Sequence, residues 1–408
     1  MFKHLANATT AADRCVADEM SSSYAASSCE RVFPRGYKNS KAIVICEGSR
    51  RLRHPLRFIT TYSNMHFLVI IFTLLTTTLA RPHKGPIWTA LAPIPIPRQE
   101  HTTVSFPPST IVVIGGIIPI GTNSTTALPI RTTSLVQFYS IPNNTWTTAA
   151  PLPRALNHAN AAVVGGRVYV LGGLADLGEP EPAWRAVGNS WVYEPFSDTW
   201  TVIPGLPSHS VRGSAAVGVY KHLIILAGGM TDLELSGDMR QNTVSVVSIF
   251  DTLDGKWVDV PREAKYLPDG RDHAGAAVVD GKMYVLGGRD QGQRNVKHTV
   301  FILDLCHLEA GWRTSAAKMP TPRGGVAAGV VGKKIYVFGG EGNRALESGV
   351  FDQVETYDTT KDKWTSVGKM RIPRHGTYAV GVDRKIYVPG GGVMQSGAPV
   401  ADFDVFEP

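Results

Sequence analysis

The feature that most constrains this chain is a recurring Gly-Gly pair. It closes an apolar, β-branched run six times: Ile-Val-Val-Ile-Gly115-Gly116, Val-Tyr-Val-Leu-Gly172-Gly173, Leu-Ile-Ile-Leu-Ala-Gly228-Gly229, Met-Tyr-Val-Leu-Gly287-Gly288, Ile-Tyr-Val-Phe-Gly339-Gly340 and Ile-Tyr-Val-Pro-Gly390-Gly391. The spacings are 57, 56, 59, 52 and 51 residues, and a period near 50 means stacked sheet units rather than one sandwich. A tryptophan keeps the same beat at Trp88, Trp146, Trp200, Trp257, Trp312 and Trp364, usually seven residues after an aromatic such as Tyr139, Tyr193, Phe250 or Tyr357. Each unit offers four short strands: one led by arginine, one ending in Gly-Gly, one bearing the aromatic and one bearing the tryptophan. A single such sheet leaves both faces bare, whereas six packed face to face about an axis cover one another. Glycine pairs allow tight backbone where inner strands crowd, and tryptophans fill the gaps between neighbouring sheets. The 41 Gly and 27 Pro spread along the chain agree with an all-β fold of short elements joined by turns.

The repeats are permuted. Trp88 precedes the first Gly-Gly, and the last Gly-Gly is followed by Val405-Phe406 with no tryptophan after it. The N-terminal strand around Trp88 is therefore expected to complete the last sheet and tie the two ends of the domain together.

Residues 1–64 read as a separate extension without sustained hydrophobic periodicity. They carry 10 of the 41 Lys+Arg and 5 of the 34 Asp+Glu, so most of the +7 formal charge sits outside the repeats. A nucleic-acid partner thereby loses its main support. The apolar run from Met65 to Ala80 ends in Thr78-Leu79-Ala80, as a signal peptide does, and it is too short and threonine-rich for a stable membrane anchor. The expectation is a secreted monomer whose start is Met65, with the propeller over 81–408. Cys15, Cys29 and Cys46 lie in the head and only Cys306 beyond residue 80. The triplets Asn123-Ser-Thr and Asn143-Asn-Thr are glycosylation sequons that fit export.

A polar residue also follows the beat. Arg98, Arg154, Arg212, Arg271, Arg323 and Arg374 precede their Gly-Gly pairs by 16 to 18 positions. His101, His158, His273 and His375 sit close by, with Asn157 and Asp272 beside them, and Arg289, Asp290, Glu341 and Asn343 follow the glycine pairs. The plain alternative is structural, since buried arginines and histidines commonly serve packing or internal ion pairs. No His-x-His, His-x-x-x-His or paired-Cys spacing occurs, so neither a metal nor another cofactor is expected. A phosphate-cradling loop, a Gly-x-Ser-x-Gly elbow and a zinc helix motif are also missing from the sequence.

The Gly-Gly, Tyr and Trp pattern over residues 88–408 resembles the kelch repeat family, which implies a six-bladed β-propeller. By that resemblance, ligands bind where the strand-entry loops converge on the axis, which nominates Arg98, His101, Asn157, Arg271, Asp272, Arg289, Glu341 and Arg374 as ligand-binding residues. A copper-radical oxidase of the galactose oxidase kind shares this propeller but needs a Tyr cross-linked to Cys, and Cys306 stands near Trp312 in an outer-strand context. The long pieces 174–190, 231–244 and 289–297 are candidate covers, with Trp184 as an aromatic lid.

Three functions follow. The first is a noncatalytic module for an acidic peptide, the second a binder or isomerase of a sugar acid or glycan. The third rests on a narrower likeness. The stretches Arg271-Asp-His-Ala-Gly, Val-Phe-Asp352-Gln-Val-Glu-Thr-Tyr357, Pro-Arg374-His-Gly and Gly-Gly-Gly-Val-Met-Gln-Ser resemble secreted kelch proteins of filamentous fungi. Some of these serve secondary-metabolite pathways through a cofactor-free hetero-Diels–Alder reaction. Such a cyclase needs an apolar cavity and one or two donors on a carbonyl. The resemblance makes His158, His273 and His375 the catalytic donors or proton carriers, with Arg289 and Arg374 orienting an oxygen-rich small molecule.

Overall fold

The computed structural model describes residues 85–121, 130–177, 183–236 and 239–408. The extension, the signal-type run and Asn123 lie outside the described residues. Alternating β-branched and small residues give antiparallel strands that assemble as a β-propeller. There are four four-stranded sheets, one eight-stranded sheet and two two-stranded sheets among the described residues.

The first sheet is typical. Its strands Thr102–Phe106, Thr110–Ile114, Val136–Ser140 and Thr145–Ala149 pair in chain order, the last two placing Tyr139 opposite Trp146. Sheets over residues 275–314 and 327–369 repeat the pattern. The strands Val380–Val382, Lys385–Pro389 and Phe403–Glu407 are joined by Ile87–Ala90, which sets Trp88 opposite Phe406. The eight-stranded sheet arises because two Gly-Gly strands run on into long hairpins. Arg167–Leu177 and Ala183–Glu194 form one, Leu223–Glu234 and Gln241–Asp251 the other, and they meet through Ala183↔Glu234, Trp184↔Leu233 and Arg185↔Asp232. The described parts of the candidate covers at 174–190 and 231–244 are thus largely strand.

The core lies between neighbouring sheets. Val112, Ile114 and Val136 pack on Val168, Val170 and Trp191, while Ile302 and Leu286 pack on Ile335, Val337 and Tyr357. The repeat tryptophans bridge the same gaps. Trp88 donates its indole N–H to Lys369 O at 2.9 Å, Trp146 to Ala92 O at 2.9 Å, Trp200 to Ala150 O at 2.9 Å and Trp257 to Pro204 O at 3.1 Å. A carbonyl partner lets these four indole N–H groups sit at the edge of an apolar seam, whereas the buried Trp364 Nε1 has no hydrogen-bond partner.

The glycine pairs make the joints between units. The second glycine donates its N–H to a carbonyl of the next repeat: Gly116 to Leu156, Gly229 to Arg271, Gly288 to Arg323, Gly340 to Arg374 and Gly391 to Arg98, at 2.7–3.0 Å. Gly340 has φ +109, and a Cβ there would lie 2.6 Å from Gly324 O. Gly340→Ala is therefore expected to cost at least about 2 kcal/mol in urea unfolding. The surface-turn change Gly332→Ala, at φ +59 with open space around it, is expected to cost about 1 kcal/mol.

Candidate functional site

The arginines are the first correction. Arg98, Arg212, Arg271, Arg323 and Arg374 are fully buried, and each reaches back into its own repeat. Arg212 Nε donates to Gly228 O at 2.6 Å and Arg323 Nε to Gly339 O at 2.7 Å, so the side chain fastens the strand entry to the glycine pair. Arg323 also pairs with Glu355 at 2.5 Å and Arg374 with Asp404 at 2.6 Å. Arg271 bonds Thr299 and lies over the Phe301 ring at 4.7 Å. Arg98 meets Gln137 and two carbonyls, and burial without a carboxylate partner draws it down to about 9. The nominated Arg98, Arg271 and Arg374 line neither axial cavity and hold the fold together. Arg154 is out of register: it is half-buried and bonds Asn189, and the ring position of its repeat is the buried Leu156.

His101 is structural as well. It is fully buried, its Nε2 donates to Pro389 O at 3.0 Å and its Nδ1 accepts from Thr103. Burial, aided by Arg98, pushes it down to about 3, so it is neutral.

Two positions past the ring position, the chain turns through the left-handed region. Glu100, His158, Ser214, His273, Gly325 and Gly376 have φ of 49, 49, 55, 51, 62 and 55°. Their backbones are linked head to tail: Glu100 N–H donates to Gly376 O, His158 to Glu100 O, Ser214 to His158 O, Gly325 to His273 O and Gly376 to Gly325 O, at 2.6–3.2 Å. His273 N–H meets Ser214 Oγ at 3.2 Å. Glycine suits this conformation, and glutamate or histidine there carries strain of about 1–3 kcal/mol, of a kind that clusters at active sites and ligand clamps.

These residues roof a cavity of about 300 Å³ along the axis. Its walls are the first strands, largely small and apolar, among them Ala162, Val217, Ala276, Ala328 and Val380, with Thr103, Ser105 and Tyr378 as polar points. Burial pushes the Tyr378 phenol up to about 12, which keeps it a donor. Above the roof, Trp184, Leu233, Leu235 and Met239 face Arg289, Gln293, Glu341 and Ser396 across a much tighter space. Trp184 is buried against His158, ring centres 5.5 Å apart. It caps the far side of the roof rather than the roomier cavity.

The roof is charged and ordered. His158 Nε2 lies 3.0 Å from Glu100 Oε2 and 3.0 Å from His273 Nε2. Asn157 Oδ1 holds His158 Nδ1 at 2.6 Å, and Asp272 Oδ1 holds His273 Nδ1 at 2.6 Å. Asn157 and Asp272 therefore orient the imidazoles and line neither cavity. Burial works to raise the Glu100, Glu341 and Asp272 carboxyls. Facing histidines outweigh it in all three, with Arg289 also acting on Glu341 and Asp272, so all stay below the usual range. Burial pulls His158 down, opposed by Glu100. Arg289 is raised although burial opposes it, since Glu341 and Asp272 grip it. His375 is buried outside both cavities, with Nε2 donating to Met394 O at 2.7 Å, so it acts only through Glu100 and Glu341.

Glu100 was the residue that sequence reasoning missed. Registering repeats on Leu156 instead of Arg154 aligns Glu100 with His158 and His273. Local spacing in the sequence does not register this grouping, because Glu100, His158 and His273 come together from three repeats, with ligand atoms within 4.8 Å of one another. Cys306 follows the strand Val300–Asp304, its Sγ 3.0 Å from the Tyr220 hydroxyl, and lines neither cavity.

The arginine register is testable. Arg323→Met leaves the buried Glu355 carboxylate without its counter-charge, held only by the Thr321 hydroxyl, and is expected to cost about 3–5 kcal/mol in urea unfolding, whereas Arg154→Met is expected to change stability by less than about 0.5 kcal/mol.

Comparison with known proteins agrees with this architecture. The KLHDC2/KLHL20/DRC7 Kelch-repeats domain matches residues 236–392 and the Kelch motif residues 155–207. Kelch-like protein terF of Aspergillus terreus is 38% identical over 312 residues, covering 76% of this chain and 65% of that protein. Human Kelch-like protein 38 is 27% identical over 68% of this chain and 43% of its own length, and human Kelch domain-containing protein 3 is 27% identical over 59% and 64%. The chain spans less than two thirds of the length of these relatives. It belongs to the kelch-repeat family of β-propellers.

Proposed function

We propose that this is a secreted six-bladed kelch propeller whose axial cavity binds a small oxygenated organic molecule and promotes its cyclisation, by a ring-forming addition of the hetero-Diels–Alder type. In this reading the eight-stranded sheet is two blades joined by their hairpins, and Ile87–Ala90 closes the last blade. Export is supported by the sequon at Asn143, which is exposed in the turn before Thr145–Ala149.

The observation that carries the ligand reading is the cavity itself: small apolar walls beneath a roof of Glu100, His158 and His273. A cycloaddition moves electron pairs around a ring and needs no redox partner. The protein contributes near-attack geometry and donors at the oxygen where charge develops. Protonated Tyr378 and the roof histidines are the groups placed to donate. His158 and His273 keep the roles expected from the sequence, while His375 and Arg289 position the roof. At about 300 Å³ the cavity stands at the small end of ligand pockets, which run from about 300 to 1,000 Å³. That size favours one compact molecule closing on itself over two large partners. The arginines expected to grip an acidic peptide or sugar acid are paired internally, which weighs against the binding-module reading.

The test leaves the roof intact. Ala276→Leu and Ala328→Leu fill the cavity from its walls. The purified chain is incubated with an organic extract of the organism that makes it, and retained compounds and new products are read by mass spectrometry. The expected result is retention of a small oxygenated compound, or its conversion without added cofactor, lowered at least tenfold by either substitution while the unfolding midpoint holds. Retention unaffected by both substitutions would remove the cavity from the account.

A further inference from the structure

Glu100 Oε2 and the Nε2 atoms of His158 and His273 form a triangle with edges of 3.0 Å (His158 to Glu100), 3.8 Å (His273 to Glu100) and 3.0 Å (between the histidines). Both imidazoles are fixed from behind, each Nδ1 lying 2.6 Å from an oxygen of Asn157 or Asp272. With the Nδ1–H groups given to those oxygens, both Nε2 atoms aim lone pairs at each other and at a carboxylate. Three electron-pair donors this close repel unless a proton or a metal cation lies among them; a proton on His158 Nε2 serves the edge to Glu100 or the edge to His273, whereas a cation serves all three.

Arg289 supplies only part of it. Its Nη2 is 3.2 Å from His273 Nε2, but Nε already bonds Asp272 at 3.1 Å and Nη1 bonds Glu341. Three carboxylates, Glu100, Asp272 and Glu341, thus surround one guanidinium. His375 gives an independent sign of unmet charge. Its Nε2 is committed to Met394 O, and its buried Nδ1 lacks a hydrogen-bond partner while lying 3.6 Å from Glu100 Oε1 and 3.5 Å from Glu341 Oε2.

We propose that Glu100, His158 and His273 hold one divalent first-row transition-metal cation, of the Zn2+ or Fe2+ kind, as a two-histidine, one-carboxylate face open toward the axial cavity. Metal–ligand bonds of about 2.0–2.2 Å put neighbouring ligand atoms of a tetrahedron about 3.3–3.5 Å apart, and the three edges bracket that value. Two imidazoles and one carboxylate suit Zn2+ and Fe2+ and not Mg2+ or Ca2+, which take oxygen. Asn157 and Asp272 are the outer partners such histidines require. The strained backbone fits as well, since left-handed Glu100, His158 and His273 stand where two other repeats use glycine. All three ligands line the axial cavity and also the tight space above the roof; a coordination position left open on the cavity side would meet an organic oxygen, which the cation would polarise. With the ion bound, His158 and His273 give their Nε2 lone pairs to it and the cation takes over the donor role assigned to them above; metal uptake is still measured without any organic ligand, so the two tests are separate.

The full chain is stripped with chelator, dialysed against Zn2+ or Co2+, and its metal content and Co2+ visible absorption are measured. The expected result is close to one ion per chain, with the spectrum of low-coordinate Co2+ that Zn2+ displaces. Glu100→Gln and His158→Gln should each weaken uptake at least about 100-fold, and Asp272→Asn about 10- to 100-fold through orientation alone, while His222→Gln leaves it unchanged. Uptake below a tenth of an equivalent in the parent chain overturns the proposal whatever the variants do. Equal uptake by the parent, Glu100→Gln and His158→Gln overturns it too, by placing the ion elsewhere. Metal uptake without retention of any extract compound would sink the cyclisation reading alone, and the reverse would sink only the metal.

Discussion

Crowding at the axis governs this molecule. Where the first strands begin there is too little room for extended backbone, so the chain turns through the left-handed region at Glu100, His158, Ser214, His273, Gly325 and Gly376. The same turn lets these residues bond head to tail and align their side-chain positions toward one space. Glycine is the comfortable residue there, and two repeats use it. Glutamate and histidine at three of the others hold that conformation against the local preference, and in the function proposed above that is where strain and chemistry coincide.

Chemistry is also divided unevenly around the axis. The residue after each glycine pair is apolar in three successive repeats, Ile117, Leu174 and Met230, charged in the next two, Arg289 and Glu341, and glycine, Gly392, in the last. The apolar three join Trp184 and Leu233 in one buried cluster. The charged two bond each other and, through Arg289, Asp272. An apolar wall thus presses on a charged wall just above the roof, which excludes water and strengthens each electrostatic contact there.

Much of this was legible in the sequence because repetition averages out local ambiguity. Glycine pairs, aromatics and tryptophans on one beat gave the propeller, and the displaced Trp88 pointed to the pairing of Ile87–Ala90 with Phe403–Glu407. His158 and His273 were also reachable, standing next to Asn157 and Asp272. What misled was treating arginine as the mark of the ring. Its guanidinium satisfies backbone carbonyls inside its own repeat, and a leucine can hold the same place, so Arg154 shifted the register and hid Glu100. The merging of two sheets through Trp184 and Leu233 had no local signal, since it depends on two hairpins more than forty residues apart meeting in space.

The claim at the centre is that the side chains at positions 100, 158 and 273 are present for chemistry and not for folding. The most direct measurement is thermal unfolding of the triple variant Glu100→Gly, His158→Gly, His273→Gly alongside its retention of extract compounds. The account predicts a midpoint no lower than that of the parent, because the backbone strain is relieved, together with loss of retention. A midpoint many degrees lower with retention intact would contradict it and make the roof a structural keystone.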